Sequence, residues 1–164
     1  MPARVIMYPE SYGHNPHFPK ASDFRVIKND ATLGFGVITY RAFKPGELIA
    51  ALAGEVITQV TQHSLQIETG LHLLDLYFCG YFLHSCDPNV HLDLNNRTVH
   101  AIRCIRPGDY LLMDYAQTEE VLFKQFRCQC DSSNCRGWIT GYKERPDEQS
   151  IDYQKYLMGC DIVE

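Results

Sequence analysis

Residues 128–137 read CQCDSSNCRG and bring three of the chain's seven cysteines into one short run. A C-x-C-x4-C run offers three thiolate ligands to one metal ion, whereas tetrahedral zinc takes four ligands. A further cysteine, Cys86, lies far upstream in the run HSCDPN at residues 84–89. The spacing therefore predicts a fourth cysteine brought in from a distance and a small zinc-closed lobe folded onto the rest of the domain.

The composition is that of a single globular domain. The chain has 164 residues, of which 45% are hydrophobic and 21% are charged. No stretch approaches the roughly 20 continuous apolar residues of a membrane span, and residues 1–10 lack the apolar centre of a secretion signal. The odd number of cysteines favours reduced thiols over disulfides. These features predict an intracellular protein, cytoplasmic or nuclear, with no membrane partner.

The charge balance limits the class of partner. The net charge is −5, from 15 basic and 20 acidic residues. Binding to a phosphate backbone depends on clustered lysine and arginine, so we expect no direct contact with nucleic acid. A mildly acidic surface is compatible with a cationic substrate but does not require one.

The regular segments predicted from the sequence are mostly short strands separated by glycine and proline. Residues 1–22 show no clean period and are predicted to form an extended arm. Strands are predicted at residues 24–28, 35–40, 48–57, 90–95, 98–104 and 110–114, which would place Cys104 in the core. Short helices are predicted at residues 118–126, where Thr118 can act as the cap, and near residues 153–158. The predicted divisions are the arm at 1–22, a main domain at 23–117, a linking helix with the zinc segment at 118–140, and a tail at 141–164.

Five runs, taken together and in order, resemble a known family. They are LGFGV at residues 33–37, AGEVI at 53–57, HSCDPN at 84–89, GDYLLMDY at 108–115 and CQCDSSNCRG at 128–137. They resemble the motifs of a SET domain followed by a post-SET zinc segment, the fold of most protein lysine methyltransferases. The resemblance covers residues 24–140. It implies a mostly β fold with a pseudoknot, in which the 84–89 segment is threaded beneath a loop formed by the 108–115 segment, an exception to the usual absence of threading.

The resemblance also implies roles for individual residues. The implied ligands of a closed, structural zinc site are Cys86, Cys128, Cys130 and Cys135; the alternative is four unrelated thiols. The cofactor S-adenosylmethionine would contact Gly34, Phe35, Gly36, Leu83 and His84, and the substrate pocket would include Leu52, Met113 and Tyr81. Tyr115 is the implied catalytic tyrosine, which would polarise the reacting groups without forming a covalent bond. The alternative for Tyr115 is a core tyrosine with one satisfied hydroxyl.

Three positions depart from the family pattern. Leu83 stands where the family has an asparagine that hydrogen-bonds the cofactor, Leu52 stands where a tyrosine is usual, and Met113 stands where phenylalanine or tyrosine is usual. An empty hydrogen-bonding position in a buried site weakens binding by about 1–3 kcal/mol. The polar side chains that could compensate for these departures are those of Tyr77, Tyr81, Tyr110, His72 and His84.

Three functional hypotheses follow from these motifs. The first is an S-adenosylmethionine-dependent N-methyltransferase acting on a lysine side chain or a similar amine, with a peptide or a small molecule as substrate. The second is a SET scaffold with an apolar pocket that serves another reaction or binds a partner, and the third is a zinc-stapled module with no activity. In histone-modifying members of the family that the chain resembles, a longer insert at residues 58–80 forms one wall of the peptide groove. The segment is short here, so the resemblance implies that a second copy in a homodimer, the arm or the tail could supply this wall.

Overall fold

The computed structural model describes residues 5–29 and 34–159, and within them the strands pair into five small sheets. One sheet is the antiparallel pair β1 (Phe24–Asn29) and β2 (Gly34–Thr39). One three-stranded sheet has the order β3 (Leu48–Ala51), β9 (Thr98–Ala101), β8 (Val90–Asp93), and the other has the order β4 (Glu55–Ile57), β6 (Leu71–Leu74), β5 (Ser64–Glu68).

Two further pairs and two short helices complete the described elements. The pairs are β7 (Leu83–His84) with β10 (Leu112–Met113), which are parallel, and β11 (Phe126–Arg127) with β12 (Trp138–Ile139), which are antiparallel. The helices are α1 (Tyr115–Thr118) and α2 (Ile151–Leu157). The mostly β architecture predicted from the sequence is confirmed.

Alternation of side chains places the main core between the sheets. In β2, Val37 and Thr39 are fully buried, and in β8 Val90 and Leu92 are buried while His91 between them is exposed. A period of two is what a strand with one buried face requires. A second, smaller cluster forms beneath the metal-ligand segment from Cys86, Leu122, Cys128 and Ile139.

The segment predicted as an extended arm folds back on itself and packs against the domain. The N–H of Met7 donates to the carbonyl of Pro19 at 2.8 Å, and Ile6 bridges to Lys20. Tyr8 and Phe18 are buried in the main core with their rings 5.1 Å apart. Two aromatic side chains therefore anchor a segment whose sequence shows no clear period.

Two turns contain a proline-glycine pair, KPGE at residues 44–47 and RPGD at 106–109, and both have the conformation typical of that pair. Gly46 and Gly108 have φ of 85° and 93°, a region that side chains disfavour and glycine enters freely. Each turn closes with a hydrogen bond of 3.0 Å, from the N–H of Glu47 to the carbonyl of Lys44 and from Asp109 to Arg106.

The strand predicted at residues 48–57 is two strands, and β5 and β6 were not predicted. The break lies at residues 52–54, where a side chain on Gly54 would come within 2.4 Å of the carbonyl oxygen of Leu74. In β5 and β6 buried polar residues, Ser64, Gln66 and His72, interrupt the apolar pattern. Their burial depends on contacts with distant segments, which local alternation does not reveal.

The helix predicted at residues 118–126 is wrong, whereas the helix near residues 153–158 is confirmed as α2. Helix α1 ends at Thr118 because the N–H of Glu120 donates to the Gln66 side chain of β5 instead of to a carbonyl of the helix. Helix α2 begins at Ile151, two residues before the predicted start, with the Ser150 hydroxyl accepting from the N–H of Tyr153. Cys104, predicted to lie in the core, is exposed because β9 ends at Ala101.

Candidate active site and metal centre

Strands β7 and β10 bring the HSCDPN and GDYLLMDY segments side by side. Leu83 pairs with Leu112 and His84 with Met113, and the N–H of Ser85 donates to the carbonyl of Met113 at 2.9 Å. The buried side chain of Asn89 then bonds the same strand from the other end: its Nδ2 donates to the carbonyl of Tyr110 and its Oδ1 accepts from the N–H of Leu112, both at 2.8 Å. The asparagine thus fixes the register of the two segments.

Tyr115 is held at both ends by the chain around β7. Its backbone N–H donates to Nδ1 of His84 at 3.1 Å, and its hydroxyl donates to the carbonyl oxygen of Phe82 at 2.5 Å. The Asp114 side chain caps α1 by accepting from the N–H of Ala116 at 3.0 Å, which sets where the helix begins. The phenol is therefore fixed in one position.

His84 is a neutral structural link between Tyr115 and the cysteine segment. Because Nδ1 accepts the Tyr115 N–H, Nε2 carries the proton, and it lies 3.5 Å from Sγ of Cys86. Burial lowers the pKa of His84 to about 4, with Arg136 adding to the effect and Asp114 opposing it. Its ring packs edge-on against those of Tyr115 and Phe126, with centroids 5.1 and 5.6 Å away. This arrangement indicates a positioning group and not a base.

A cavity of about 1030 Å³ lies against Tyr115. Its walls come from the loop before β5, the turn at residues 79–82, strands β7 and β10, and the segment from Glu119 to Cys130. Apolar side chains from these elements include Leu65, Leu83, Met113, Leu122 and Phe126. Asp152 of α2 also lines the cavity and forms an ion pair with Lys124 at 3.5 Å, so the tail contributes to the wall.

The predicted site residues divide between the cavity wall and its surroundings. Tyr115, Leu83, His84 and Met113 line the cavity. Leu52 does not: it is buried in the main core. Gly34, Phe35, Gly36 and Tyr81 lie outside the lining, although a side chain on Gly36 would come within 2.8 Å of both Leu83 and Tyr110.

Among the polar substitutes considered for the departures, the structure brings Tyr110 and His84 to the cavity. Tyr77 instead packs against Tyr12 of the N-terminal segment, with ring centroids 5.8 Å apart. Tyr81 packs on His63 at 4.6 Å. His72 is buried in β6, where its Nδ1 has no hydrogen-bond partner among the described residues.

The four predicted ligand cysteines come together. The sulfur atoms of Cys86, Cys128, Cys130 and Cys135 all lie within 4.8 Å of one another, and those of Cys86 and Cys128 are 3.8 Å apart. Zinc–sulfur bonds of about 2.3 Å in a tetrahedron separate the sulfurs by roughly 3.8 Å, so the cluster fits a zinc ion. The backbone N–H of Arg136 points at Sγ of Cys86 at 3.3 Å, the kind of contact that supports a thiolate.

The cysteine lobe is tied to the segment that carries Tyr115. Arg136 forms a two-pronged pair with Asp114, the cap of α1, at 2.7 and 2.9 Å. Burial opposes ionisation of Asp114, but the hydrogen bonds from Arg136 lower its pKa. The Asn134 side chain donates to the carbonyl of Cys86 at 3.0 Å. The position of the lobe is therefore coupled to the start of α1.

Two buried acidic residues were not predicted from the sequence: Glu119, on the cavity wall, and Asp75, which bonds to Cys79 of that wall. Asp75 is fully buried and accepts from the Tyr8 hydroxyl at 2.6 Å and from the N–H groups of Phe78 and Cys79 at 2.9 Å. Glu119 is 5% exposed on the cavity wall and accepts from the N–H of Gln66 at 2.7 Å. The signal for Asp75 was an acid inside an apolar run; no local pattern connects Glu119 with residue 66.

The chain is similar in sequence to a known domain family and to several methyltransferases. The SET domain family matches residues 34–116. Histone-lysine N-methyltransferase Set2 of Drosophila melanogaster is 28% identical over 145 residues, which cover 73% of this chain and 6% of that protein. Methyltransferase flvH of Aspergillus flavus is 32% identical over 112 residues, covering 59% of this chain and 61% of that protein. The chain thus spans less than two thirds of the length of either relative.

Solved structures show the same fold. A crystal structure of KRYPTONITE in complex with mCHG DNA and SAH has a TM-score of 0.58 and 22% identity, covering 72% of this chain and 29% of that one. A second, with mCHH DNA, an H3(1-15) peptide and SAH, has a TM-score of 0.55 and 22% identity, covering 70% and 29%. Within residues 5–29 and 34–159, no helix has the length and apolar character needed to cross a bilayer. Because the family match covers half of the chain and the strand pairing agrees with it, the chain belongs to the SET-domain family.

Proposed function

We propose that the protein is an S-adenosylmethionine-dependent N-methyltransferase acting on a lysine side chain or a similar amine. The observation that carries the proposal is the fixed Tyr115 hydroxyl, bonded to the carbonyl of Phe82 at 2.5 Å on the wall of the cavity of about 1030 Å³. A cavity of this size accommodates a nucleoside-sized ligand together with a side chain. S-adenosylmethionine would supply the methyl group: the substrate ammonium first gives one proton to solvent, and the C–S bond would then break as the neutral amine forms the C–N bond, which leaves S-adenosylhomocysteine and a methylated ammonium.

Residues around β2 and β7 would hold the cofactor. The proposed contacts are Leu83 and His84 on the cavity wall and Gly34, Phe35 and Gly36 beside them. Leu83 offers no polar side-chain atom, so the hydrogen bonds there must come from the backbone or from a neighbour such as Tyr110. The absence of a side chain at Gly36 lets Leu83 and Tyr110 pack against β2.

Tyr115 would orient the reacting groups as a neutral phenol. Burial raises its pKa, and the nearby charge of Glu119 raises it further, so the hydroxyl stays protonated at physiological pH. Since its hydrogen is directed at Phe82, the oxygen lone pairs remain available to an incoming N–H group or a polarised methyl group. A preorganised dipole of this kind lowers the barrier without transferring a proton, and holding the amine in line contributes through reduced entropy loss.

We also propose a structural zinc ion at Cys86, Cys128, Cys130 and Cys135. Four thiolates complete a tetrahedral shell and leave no open position for a metal-bound nucleophile. The ion would hold the lobe against β7 and β10 and take no part in methyl transfer. Through Arg136 and Asp114 it would also fix the start of α1, and with it Tyr115.

A second candidate function is a SET scaffold used for another reaction on a small molecule. The observation that favours it is the apolar lining: Leu83 and Met113 both face the cavity, where polar or aromatic groups were expected. Leu52 gives it no support, because that residue lies in the core. One relative is named as a histone-lysine enzyme and another only as a methyltransferase, so both a peptide and a small-molecule amine are proposed as substrates.

The test is calorimetric titration of the zinc-replete protein with S-adenosylmethionine and with S-adenosylhomocysteine. We expect micromolar binding, with the product at least as tight as the substrate, and loss of methyl transfer to a panel of amines in Tyr115→Phe. The matched control is Tyr142→Phe, at an exposed position outside the site, which should keep wild-type turnover. No binding up to millimolar cofactor would contradict the proposal and favour the scaffold with another use.

A further inference from the structure

Glu119 is a buried carboxylate on the wall of the cavity. It is 5% exposed, and its Oε2 accepts from the backbone N–H of Gln66 at 2.7 Å. Its neighbour Glu120 is more exposed and forms an ion pair with Lys143 at 2.9 Å. No described residue forms an ion pair with Glu119. A buried carboxylate that has no cation nearby is costly to keep ionised, and burial accordingly raises the pKa of Glu119.

The backbone around Glu119 is held in place, so its side chain has a defined direction. The N–H of Glu119 donates to the carbonyl of Tyr115 at 3.0 Å, and its own carbonyl accepts from Tyr142 at 2.9 Å. The next N–H, of Glu120, donates to Oε1 of Gln66 at 2.8 Å. Gln66 therefore contacts this segment through both its backbone and its side chain, and that double contact fixes the carboxylate on the wall.

Glu119 lies close to the proposed reaction centre. Its backbone N–H donates to the carbonyl of Tyr115 at 3.0 Å, and both residues line the same cavity. The charge of Glu119 accordingly adds to burial in raising the pKa of Tyr115. The basic side chains on the wall are engaged elsewhere: Lys124 pairs with Asp152, Arg127 has a contact of its own, and Nδ1 of His84 accepts the N–H of Tyr115. Of the two acidic side chains on the described wall, Asp152 is paired with Lys124, whereas Glu119 has no ion-pair partner among the described residues and shares the wall with apolar side chains such as Leu65 and Leu122.

We infer that Glu119 is the specificity-determining residue that binds the cationic amine of the substrate. This inference rests on the proposed methyltransferase function and narrows its substrate to an alkylammonium group that enters the cavity beside Glu119. A carboxylate in a site of low polarity binds a cation strongly and gives nothing comparable to a neutral alcohol or alkane of the same shape. The bound ammonium gives one proton to solvent before it accepts the methyl group, and the methylated product is again a cation. Glu119 would therefore contact both the arriving substrate and the leaving product.

The experiment measures the affinity of simple probes by NMR titration of the zinc-loaded protein, with and without S-adenosylhomocysteine. The probes are n-butylammonium chloride and 1-butanol, which have similar length and differ in charge. We expect the wild type to prefer the ammonium, and Glu119→Gln to lose about tenfold or more in affinity for it. Affinity for 1-butanol should stay unchanged. Glutamine retains an oxygen that can accept the Gln66 N–H, so the wall should keep its shape.

Two further variants separate a binding role from a structural one. Glu120→Gln removes a neighbouring charge outside the cavity lining and should keep the wild-type preference for the ammonium. Glu119→Asp keeps the charge and should retain part of that preference, which a general loss of packing would not allow. Wild-type affinity for n-butylammonium in Glu119→Gln, or the absence of any preference in the wild type, would overturn the inference.

The outcomes distinguish this inference from the proposed function. If the preference for the ammonium depends on Glu119 but no variant binds the cofactor, the cation site stands and the methyltransferase proposal fails. If the cofactor binds and Tyr115→Phe loses turnover while Glu119→Gln keeps its affinity for the ammonium, the methyltransferase stands and the role of Glu119 is wrong.

Discussion

Asp75 connects the N-terminal segment to the turn at residues 77–79, which leads to the cavity wall. Its carboxylate, fully buried, accepts from the Tyr8 hydroxyl and from the backbone at Tyr77, Phe78 and Cys79. These bonds shape the turn that leads to Phe82, whose carbonyl receives the Tyr115 hydroxyl. Burial raises the pKa of Tyr8, so its phenol remains a donor to the carboxylate at any physiological pH. A single acid therefore links a segment that resembles no motif to the proposed catalytic tyrosine.

Replacing Asp75 by Asn tests this link at the scale of one residue. The amide NH₂ would face donors instead of accepting from them, and leaving buried donors unsatisfied costs about 1–3 kcal/mol each. We expect Asp75→Asn to lower the free energy of unfolding by about 3 kcal/mol in urea titrations, with Tyr8→Phe costing about 1 kcal/mol for one hydrogen bond. Asp147→Asn, at an exposed position, is the control. Equal stability of Asp75→Asn and the wild type would refute the role of the buried carboxylate.

At the scale of elements, strands in which buried apolar and exposed polar residues alternate could be predicted from the sequence. Strands whose burial depends on contacts with distant segments could not. Strand β8 could be predicted because Val90 and Leu92 alternate with exposed His91. Residues 118–126 have a helix cap and good helix formers, yet the helix ends at Thr118 because the Gln66 side chain accepts the N–H of Glu120, which would otherwise continue it. Glu119 could not be predicted as a site residue for a similar reason. Its position depends on a contact with Gln66, which is 53 residues away in the sequence.

Helix α2 gives a test at this scale because it packs on the only tryptophan of the chain. Trp138 is 9% exposed, and its ring lies 5.1 Å from that of Tyr153 and 5.5 Å from that of Tyr156. Aromatic pairs of this kind contribute about 0.5–1.5 kcal/mol beyond the area they bury. We expect Tyr156→Ala to loosen α2 and shift the fluorescence of Trp138 to longer wavelength, whereas Tyr142→Ala should not. Unchanged emission in Tyr156→Ala would mean that the helix does not shield Trp138.

The molecule has one large hydrophobic core and one small lobe, and the two differ in how much buried apolar surface stabilises them. The main cluster draws residues from the N-terminal segment through Met113, whereas the lobe has only Cys86, Leu122, Cys128 and Ile139 as its buried cluster. A core this small does not fold without a staple, and metal binding supplies folding free energy in such lobes. The cavity lies between the two parts, with Leu83 and Met113 on one side and Phe126 and Cys128 on the other. Cofactor binding should therefore depend on the lobe even though the main core does not.

Removal of the metal separates the two parts experimentally. We expect a chelator, or Cys130→Ser, to abolish hydrogen-exchange protection at residues 126–139 and in α2 while β1, β2, β8 and β9 stay protected, because the main core lies outside the lobe. Cofactor affinity should fall in the same samples, and added zinc should restore both readouts in the chelated wild type. Cys104→Ser, which changes an exposed cysteine outside the cluster, is the matched control. If Cys130→Ser leaves hydrogen-exchange protection and metal content unchanged, the four sulfurs hold no structural ion. If protection is lost everywhere at once, the lobe and the core unfold as one unit.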